Sequence, residues 1–136
     1  MEAFDAYGHA ILSLALWALL VTVLAAVSTR GRTAANRCDC GKPKRDYSDP
    51  AYRRERAFMN AIEISGPFIA ATLAAILAGA SPFWVNLLAS IFILARLATA
   101  FVHIRTENQP MRSATWGVGT LAVAAMALFA VFAVFL

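Results

Sequence analysis

The chain has 136 residues, of which 60% are hydrophobic, and it carries a formal net charge of +4. Its length suffices for one domain. Its mean hydropathy is +0.64, and its hydrophobic fraction lies above the roughly 45–50% that is usual in soluble domains. These values exclude an ordinary soluble domain and indicate a membrane protein whose apolar residues are gathered into long blocks.

Four apolar blocks follow one another along the chain, and each is long enough to cross a bilayer, which takes about 20 residues of helix. The polar "SDP" at 48–50 opens the second helix, because Asp49 can cap it and Pro50 suits its first turn. A β-barrel would instead alternate apolar and polar residues. We predict one all-α domain over 1–136, an integral membrane four-helix bundle with helices at about 6–27, 50–79, 83–104 and 111–136.

Basic residues are concentrated after the first helix, where nine of the twelve Lys and Arg lie within residues 30–56. The positive-inside bias predicts that the loop at about 28–49 is cytoplasmic and that both termini lie outside. We expect the membrane to be a bacterial inner membrane. The acidic start of the chain argues against a cleaved signal peptide. We expect no nucleic-acid partner, since the basic cluster lies between two spans.

The basic loop also contains Cys38 and Cys40, in the stretch "CDCG". Stable disulfides are rare in the cytoplasm, so we expect two reduced thiols here. A structural zinc site needs four ligands, and these two thiols have no further Cys and no nearby His in the sequence. We therefore predict no metal site.

Polar residues interrupt the helices near their predicted cytoplasmic ends. Arg56, Asn60 and Glu63 are spaced i, i+4 and i+7, which places them on one face of the second helix. Each has a purely structural alternative, such as an ion pair of Glu63 with Arg96. Polar groups inside spans usually face protein or water, so together they predict a pocket for a small, multiply charged cytosolic ligand. The further members of this set are Arg96, His103, Arg112 and Ser113, with Trp116 one turn beyond.

The start of the fourth helix adds a specific chemistry to this pocket. A helix N-terminus already favours anions. Arg112 and Ser113 supply a guanidinium and a hydroxyl at that point. The combination predicts an anion or thiolate site, although Arg112 alone would be explained as a positive-inside anchor and Trp116 alone as an interfacial aromatic residue.

Three stretches, "ERAFMNAIEISGPF", "ARLATAFVHI" and "QPMRSATW", resemble the signature segments of the MAPEG family, the membrane-associated proteins in eicosanoid and glutathione metabolism. The resemblance covers roughly residues 48–130. It implies a four-helix protomer in a homotrimer, with glutathione as co-substrate bound between subunits near the cytosolic side. It also implies contacts to membrane lipids and a lipophilic substrate that arrives from the bilayer.

The resemblance assigns roles by position. Arg112 and Ser113 match a catalytic pair that lies beside the glutathione thiol, where the arginine stabilises the thiolate. A guanidinium in a partly dehydrated site favours ionised sulfur, which is the nucleophile. The residues that match glutathione contacts are Arg56, Asn60, Glu63, Arg96, His103, Trp116 and, at the end of the first helix, Arg30 or its neighbour Arg32.

These observations favour a glutathione-dependent membrane enzyme, a transferase or peroxidase that activates the thiol for conjugation to lipophilic electrophiles or for reduction of lipid hydroperoxides. A non-catalytic glutathione- or lipid-binding scaffold is the first alternative. Phe58 and Met59 stand where relatives often have His-Arg, and His103 and Trp116 stand where close relatives usually have tyrosines. The second alternative is a small four-helix exporter with Glu63 as its membrane carboxylate.

Overall fold

The computed structural model describes residues 2–135 of the chain, with side chains from Phe4 onward; the predicted domain ends at Met1 and Leu136 lie outside this range. Within it, four helices are long and apolar enough to cross a membrane. The prediction of an all-α membrane bundle is confirmed. The helices are a single turn α1 at Glu2–Asp5, and the spans α2 at Gly8–Ser28, α3 at Pro50–Leu77, α4 at Pro82–Arg105 and α5 at Gln109–Phe135.

Local chemistry explains where the spans begin and end. The Asp49 carboxylate accepts a hydrogen bond from the Ala51 backbone N–H at 2.8 Å, and Pro50 occupies the first turn of α3. This is the predicted N-cap. Pro82 likewise lies in the first turn of α4. Gly79, with a φ of +68°, takes the left-handed conformation that glycine adopts without strain and so ends α3 with a sharp turn.

An aromatic layer holds three of the spans together. Trp17 of α2 packs edge-on against Phe92 of α4 at a centroid distance of 5.0 Å. Phe92 in turn stacks on Phe68 of α3 at 3.8 Å, and all three side chains are fully buried. The Trp17 indole N–H donates to the Ser65 hydroxyl at 3.0 Å, so its polar atom is satisfied. Large apolar side chains elsewhere point outward, as expected for helices in contact with lipid, Leu121 of α5 among them.

Short connections set which helix ends lie together. The α3–α4 turn lies beside the start of α2, where the Tyr7 hydroxyl donates to the Ala80 carbonyl at 2.6 Å. The α4–α5 connection lies beside the start of α3, where Arg53 donates to the Ile104 carbonyl at 3.3 Å. The long loop at 29–49 therefore shares its end of the bundle with the α4–α5 connection.

The loop at 29–49 has a defined path and corrects one expectation. The Cys38 N–H donates to the Lys42 carbonyl at 2.9 Å, which closes a tight turn. This turn brings the Cα atoms of Cys38 and Cys40 to 5.2 Å, within the range that a disulfide requires, and the structure joins the two sulfurs. The expectation of two reduced thiols was wrong. It rested on the reducing conditions of the cytoplasm and did not consider that a tight turn could bring the two cysteines within bonding distance.

Candidate functional site

A cavity of about 190 Å³ opens at the end of the bundle that carries the 29–49 loop. It is called the arginine cavity below. The loop, the first turns of α3, the last turn of α4 and the first turns of α5 all contribute to it. Its lining residues are Tyr47, Arg56, Asn60, His103, Gln109, Arg112, Ser113 and Trp116.

Arg112 is the centre of the arginine cavity. Its side chain is buried, with 5% of the residue exposed. One guanidinium nitrogen, Nη2, donates to the Gln109 side-chain oxygen, and the guanidinium lies 4.1 Å from the centre of the Tyr47 ring. Gln109 also donates from Nε2 to the Ser113 hydroxyl at 3.2 Å. Gln109 and Tyr47 thus fix the orientation of Arg112 and leave its Nε and Nη1 without a hydrogen-bond partner.

Arg96 lies deeper in the bundle and reaches the arginine cavity through Asn60. Its Nη2 donates to both the backbone carbonyl and the side-chain oxygen of Asn60, the former at 3.0 Å. Its guanidinium carbon lies 5.9 Å from the ring centre of Trp17. A Cβ at Gly119 would come within 3.0 Å of the Arg96 side chain, so glycine gives α5 room to pack against it. Nε and Nη1 of Arg96 also lack partners.

His103 completes the set of buried polar residues at this end. It is 7% exposed and lines the arginine cavity, and its Nδ1 has no partner. In the part of the chain that the structure describes, the unpartnered buried side-chain N and O atoms all belong to Arg96, His103 and Arg112. A buried polar group without a hydrogen bond costs about 1–3 kcal/mol, and more if charged. Such a concentration at one place is typical of a binding site.

The lining favours an anionic ligand. Among the described residues, the eight that line the arginine cavity include two arginines and no carboxylate. The hydroxyl of Ser113 and the amide of Asn60 supply neutral hydrogen-bonding groups beside these charges. The arrangement can therefore hold a small anion by hydrogen bonds, with the Arg112 guanidinium and the Ser113 hydroxyl in the lining of the same cavity.

Three of the predicted ligand contacts do not line this cavity: Arg96, which reaches it only through Asn60, and Glu63 and Arg30. Glu63 lies on α3 with 56% of its side chain exposed and pairs with Arg56 at 3.8 Å, not with Arg96. Arg30 is exposed, and its carbonyl accepts hydrogen bonds from Arg54. Its neighbour Arg32 is engaged elsewhere, in an ion pair with Glu55 on α3 at 2.5 Å.

Sequence reasoning missed two residues of the arginine cavity. Tyr47 lies in the loop, where no periodicity indicates which way a side chain points. Gln109 lies three residues before Arg112, and residues at i and i+3 meet on one helix face. The predicted fourth helix began at 111, two residues after the observed start at Gln109, so this signal was not applied.

A comparison with protein-family models matches residues 8–132 to the MAPEG family. The chain belongs to the MAPEG family. A comparison with curated proteins gives no match. The MAPEG match runs from the first turn of α2 into the last turns of α5, so it covers all four spans and the loop. The protein is thus an integral, multi-pass membrane protein of a family associated with eicosanoid and glutathione metabolism, which confirms the family resemblance of its three signature stretches.

Proposed function

We propose that this MAPEG protein is a glutathione-dependent enzyme that activates the glutathione thiol for attack on lipophilic electrophiles or for reduction of lipid hydroperoxides. The observation that carries the proposal is the buried Arg112 guanidinium, which lines the arginine cavity with Nε and Nη1 unpartnered. Glutathione supplies the nucleophilic sulfur as co-substrate. The residues of this chain bind it, orient it and favour its ionised form.

Arg112 and Ser113 are the proposed catalytic pair. A cation at hydrogen-bond distance lowers the pKa of a thiol, because it stabilises the thiolate and not the neutral form. Gln109 and Tyr47 hold the Arg112 guanidinium in place before the ligand arrives. Such preorganisation matters, since a donor that is already aimed at the developing charge needs no rearrangement during the reaction.

The remaining polar groups fit the rest of a charged tripeptide. Glutathione has two carboxylates and one ammonium group, and the cavity offers Arg56 and the unpartnered Nδ1 of His103 beside Arg112. Arg96 acts through Asn60, the residue that links it to the cavity. The proposed glutathione contacts are Arg56, Asn60, Arg96, His103 and Trp116 within the protomer, with Glu63 and Arg30 at its edge.

A homotrimer is part of the proposal. Glu63 lies within the span α3, yet 56% of its side chain is exposed in the protomer. A charged residue that faces lipid near the centre of a span costs about 2.5–3.5 kcal/mol. Coverage by a neighbouring subunit removes this cost and encloses the arginine cavity. The lipophilic substrate then enters from the bilayer, between the first and fourth spans of adjacent subunits.

The proposed orientation puts the arginine cavity in the cytoplasm of a bacterium with both termini outside. The basic loop at 29–49 lies at the same end of the bundle as the cavity, since Tyr47 of this loop lines it. The positive-inside bias then places both at the cytoplasmic face, where small thiols are plentiful. The exporter alternative needs an available membrane carboxylate, and the proximity of Glu63 to Arg56 at 3.8 Å argues against it.

Thermal unfolding of the purified protein with different thiols tests the proposal. A ligand that binds only the folded state stabilises it by about 2.7 kcal/mol at a concentration of 100 times Kd. We expect glutathione and an S-alkyl glutathione to raise the unfolding temperature, and free cysteine, which lacks the other two residues, to leave it unchanged. If no glutathione compound stabilises the protein, the proposed function is wrong. Binding without a lowered thiol pKa would instead identify the non-catalytic scaffold.

A further inference from the structure

The disulfide between Cys38 and Cys40 lies in an exposed turn at the arginine-cavity end of the bundle. Cys40 is exposed and Cys38 is half-buried. The turn is attached to the bundle by Arg32, which donates to the Gly41 carbonyl at 3.3 Å and pairs with Glu55 of α3 at 2.5 Å. A disulfide that closes only one intervening residue and is open to solvent can be reached by a small thiolate.

A second surface cavity, of about 470 Å³, adjoins this disulfide and is called the cysteine cavity. It is lined by Ala34, Arg37, Cys38, Asp39 and Gly41, and it shares no lining residue with the arginine cavity. Arg37 and Asp39, the sequence neighbours of Cys38, give the lining of this cavity one positive and one negative group. This pattern complements a small peptide thiol, which carries both carboxylates and an ammonium group.

The charge of the surrounding loop favours the same ligand. Residues 30–45 contain six basic side chains and one acidic side chain, a net charge of +5. A positive field attracts a peptide thiol of net negative charge and stabilises thiolates, both the attacking one and the one that leaves. Low-pKa leaving thiols depart faster in thiol–disulfide exchange.

We propose that Cys38 and Cys40 form a redox pair that exchanges with glutathione in the cysteine cavity. The glutathione thiolate attacks Cys38 Sγ, the Cys38–Cys40 bond breaks, and Cys40 leaves as a thiolate. A second glutathione thiolate attacks the glutathione sulfur of the mixed disulfide and releases Cys38. Two glutathione molecules are oxidised to one disulfide, and the cysteine pair is reduced to two thiols. This site is separate from the proposed catalytic site.

The test is intact-mass analysis of the full-length protein equilibrated with reduced and oxidised glutathione in varied ratio. We expect the cysteine pair to pass from disulfide to dithiol as the ratio of reduced to oxidised glutathione rises. We expect the Cys40→Ser variant, which retains only Cys38, to accumulate one covalently bound glutathione. Arg37→Ala should slow reduction about two- to five-fold, the effect of one exposed charge contact. Arg45→Ala removes the same charge from an exposed loop position outside the cysteine cavity and should have a smaller effect.

Two results would overturn the proposal. One is a pair that stays oxidised at every glutathione ratio while dithiothreitol reduces it; the other is a Cys40→Ser variant that gains no glutathione. Equal rates for Arg37→Ala and Arg45→Ala would refute binding in the cysteine cavity. Two controls distinguish the cysteine cavity from the arginine cavity. An S-alkyl glutathione has no free thiol and cannot exchange with the disulfide, so it should still stabilise a Cys38→Ala/Cys40→Ala double variant by binding in the arginine cavity. The Arg112→Ala variant should exchange its disulfide with glutathione at the same rate as the unaltered protein.

Discussion

The two ends of the bundle treat buried polar groups in opposite ways. At the asparagine end, which carries Tyr7, Ala80 and Asn86, the protein satisfies its own donors and acceptors: the buried Tyr7 hydroxyl donates to the Ala80 carbonyl at 2.6 Å, and the half-buried Asn86 accepts from the Ala10 N–H at 2.9 Å. At the arginine end, defined by the buried residues Arg96, His103 and Arg112, five buried nitrogen atoms have no partner.

The difference separates polar groups that stabilise the fold from polar groups that await a ligand. A satisfied buried hydrogen bond contributes to stability, whereas an unsatisfied buried group reduces it. The aromatic layer of Trp17, Phe68 and Phe92 lies between the two ends and supplies packing energy that offsets this loss. Variants in the aromatic layer and at the asparagine end should therefore change stability and leave ligand binding unchanged. Variants at the arginine end should change ligand binding and have little effect on stability.

Phe92→Ala should have the largest effect on stability, because Phe92 is fully buried and stacks on Phe68 at 3.8 Å. Loss of a buried phenylalanine typically costs about 3–5 kcal/mol. Equilibrium unfolding of the purified protein measures this loss. The fraction that remains folded should bind glutathione with unchanged affinity. A selective loss of affinity at normal stability would contradict the division between packing layer and site.

Arg96→Met should have the opposite pattern. The substitution removes a buried charge with two unpartnered nitrogens, which favours the folded state, and it also takes the donor from two Asn60 oxygens, which disfavours it. The unfolding temperature should therefore change little. Glutathione affinity should weaken about 2- to 12-fold, because Asn60 loses the partner that orients it in the arginine cavity, an effect of about 0.5–1.5 kcal/mol for one ordinary hydrogen bond. Calorimetric titration measures the affinity. A destabilised variant with unchanged affinity would make Arg96 a structural residue.

Asn86→Ala tests the asparagine end. It leaves the N–H of the buried Ala10 without its side-chain partner, and an unsatisfied buried group costs about 1–3 kcal/mol. We expect a lower unfolding temperature and the same glutathione affinity as the unaltered protein. Reduced affinity at this distance from the arginine cavity would mean that the two ends are coupled.

Tyr47→Ala should have the smallest effect. It removes the ring that lies 4.1 Å from the Arg112 guanidinium, an interaction worth about 0.5–1 kcal/mol at a partly exposed site. Turnover should fall about two- to five-fold with little change in unfolding temperature. Tyr47→Phe keeps the ring and is the matched control, so it should retain normal turnover. Equal loss in both variants would assign the effect to the hydroxyl and not to the ring.

Sequence patterns predicted the helices of this protein because membrane spans depend on local properties. Apolar length marked the spans, and the Asp49–Pro50 pair marked the start of α3 to the residue. The start of α5 was predicted two residues late, because the predicted helix began after Pro110, whereas the observed helix begins at Gln109 and holds Pro110 in its first turn.

The site was harder to predict, because its contacts join different elements. Helical spacing placed Arg56, Asn60 and Glu63 on one face of the second helix, but it could not predict which of the three residues line the arginine cavity. In the structure Arg56 and Asn60 line it, while Glu63 lies outside. The partner of Arg96 was likewise open until tertiary packing selected Asn60. Loop positions such as Tyr47 depend on turns that periodicity does not report.

The central claim is that Arg112 favours the glutathione thiolate. Its most direct test is the ultraviolet thiolate absorbance of glutathione bound to the purified protein, followed against pH. Arg105→Ala is the matched control, since Arg105 is an exposed arginine at the same end of the bundle and does not line the arginine cavity. We predict thiolate absorbance at neutral pH for the unaltered protein and for Arg105→Ala, and its loss for Arg112→Ala. Bound glutathione whose thiol titrates as it does in free solution, or an Arg112→Ala variant with undiminished thiolate, would contradict the claim.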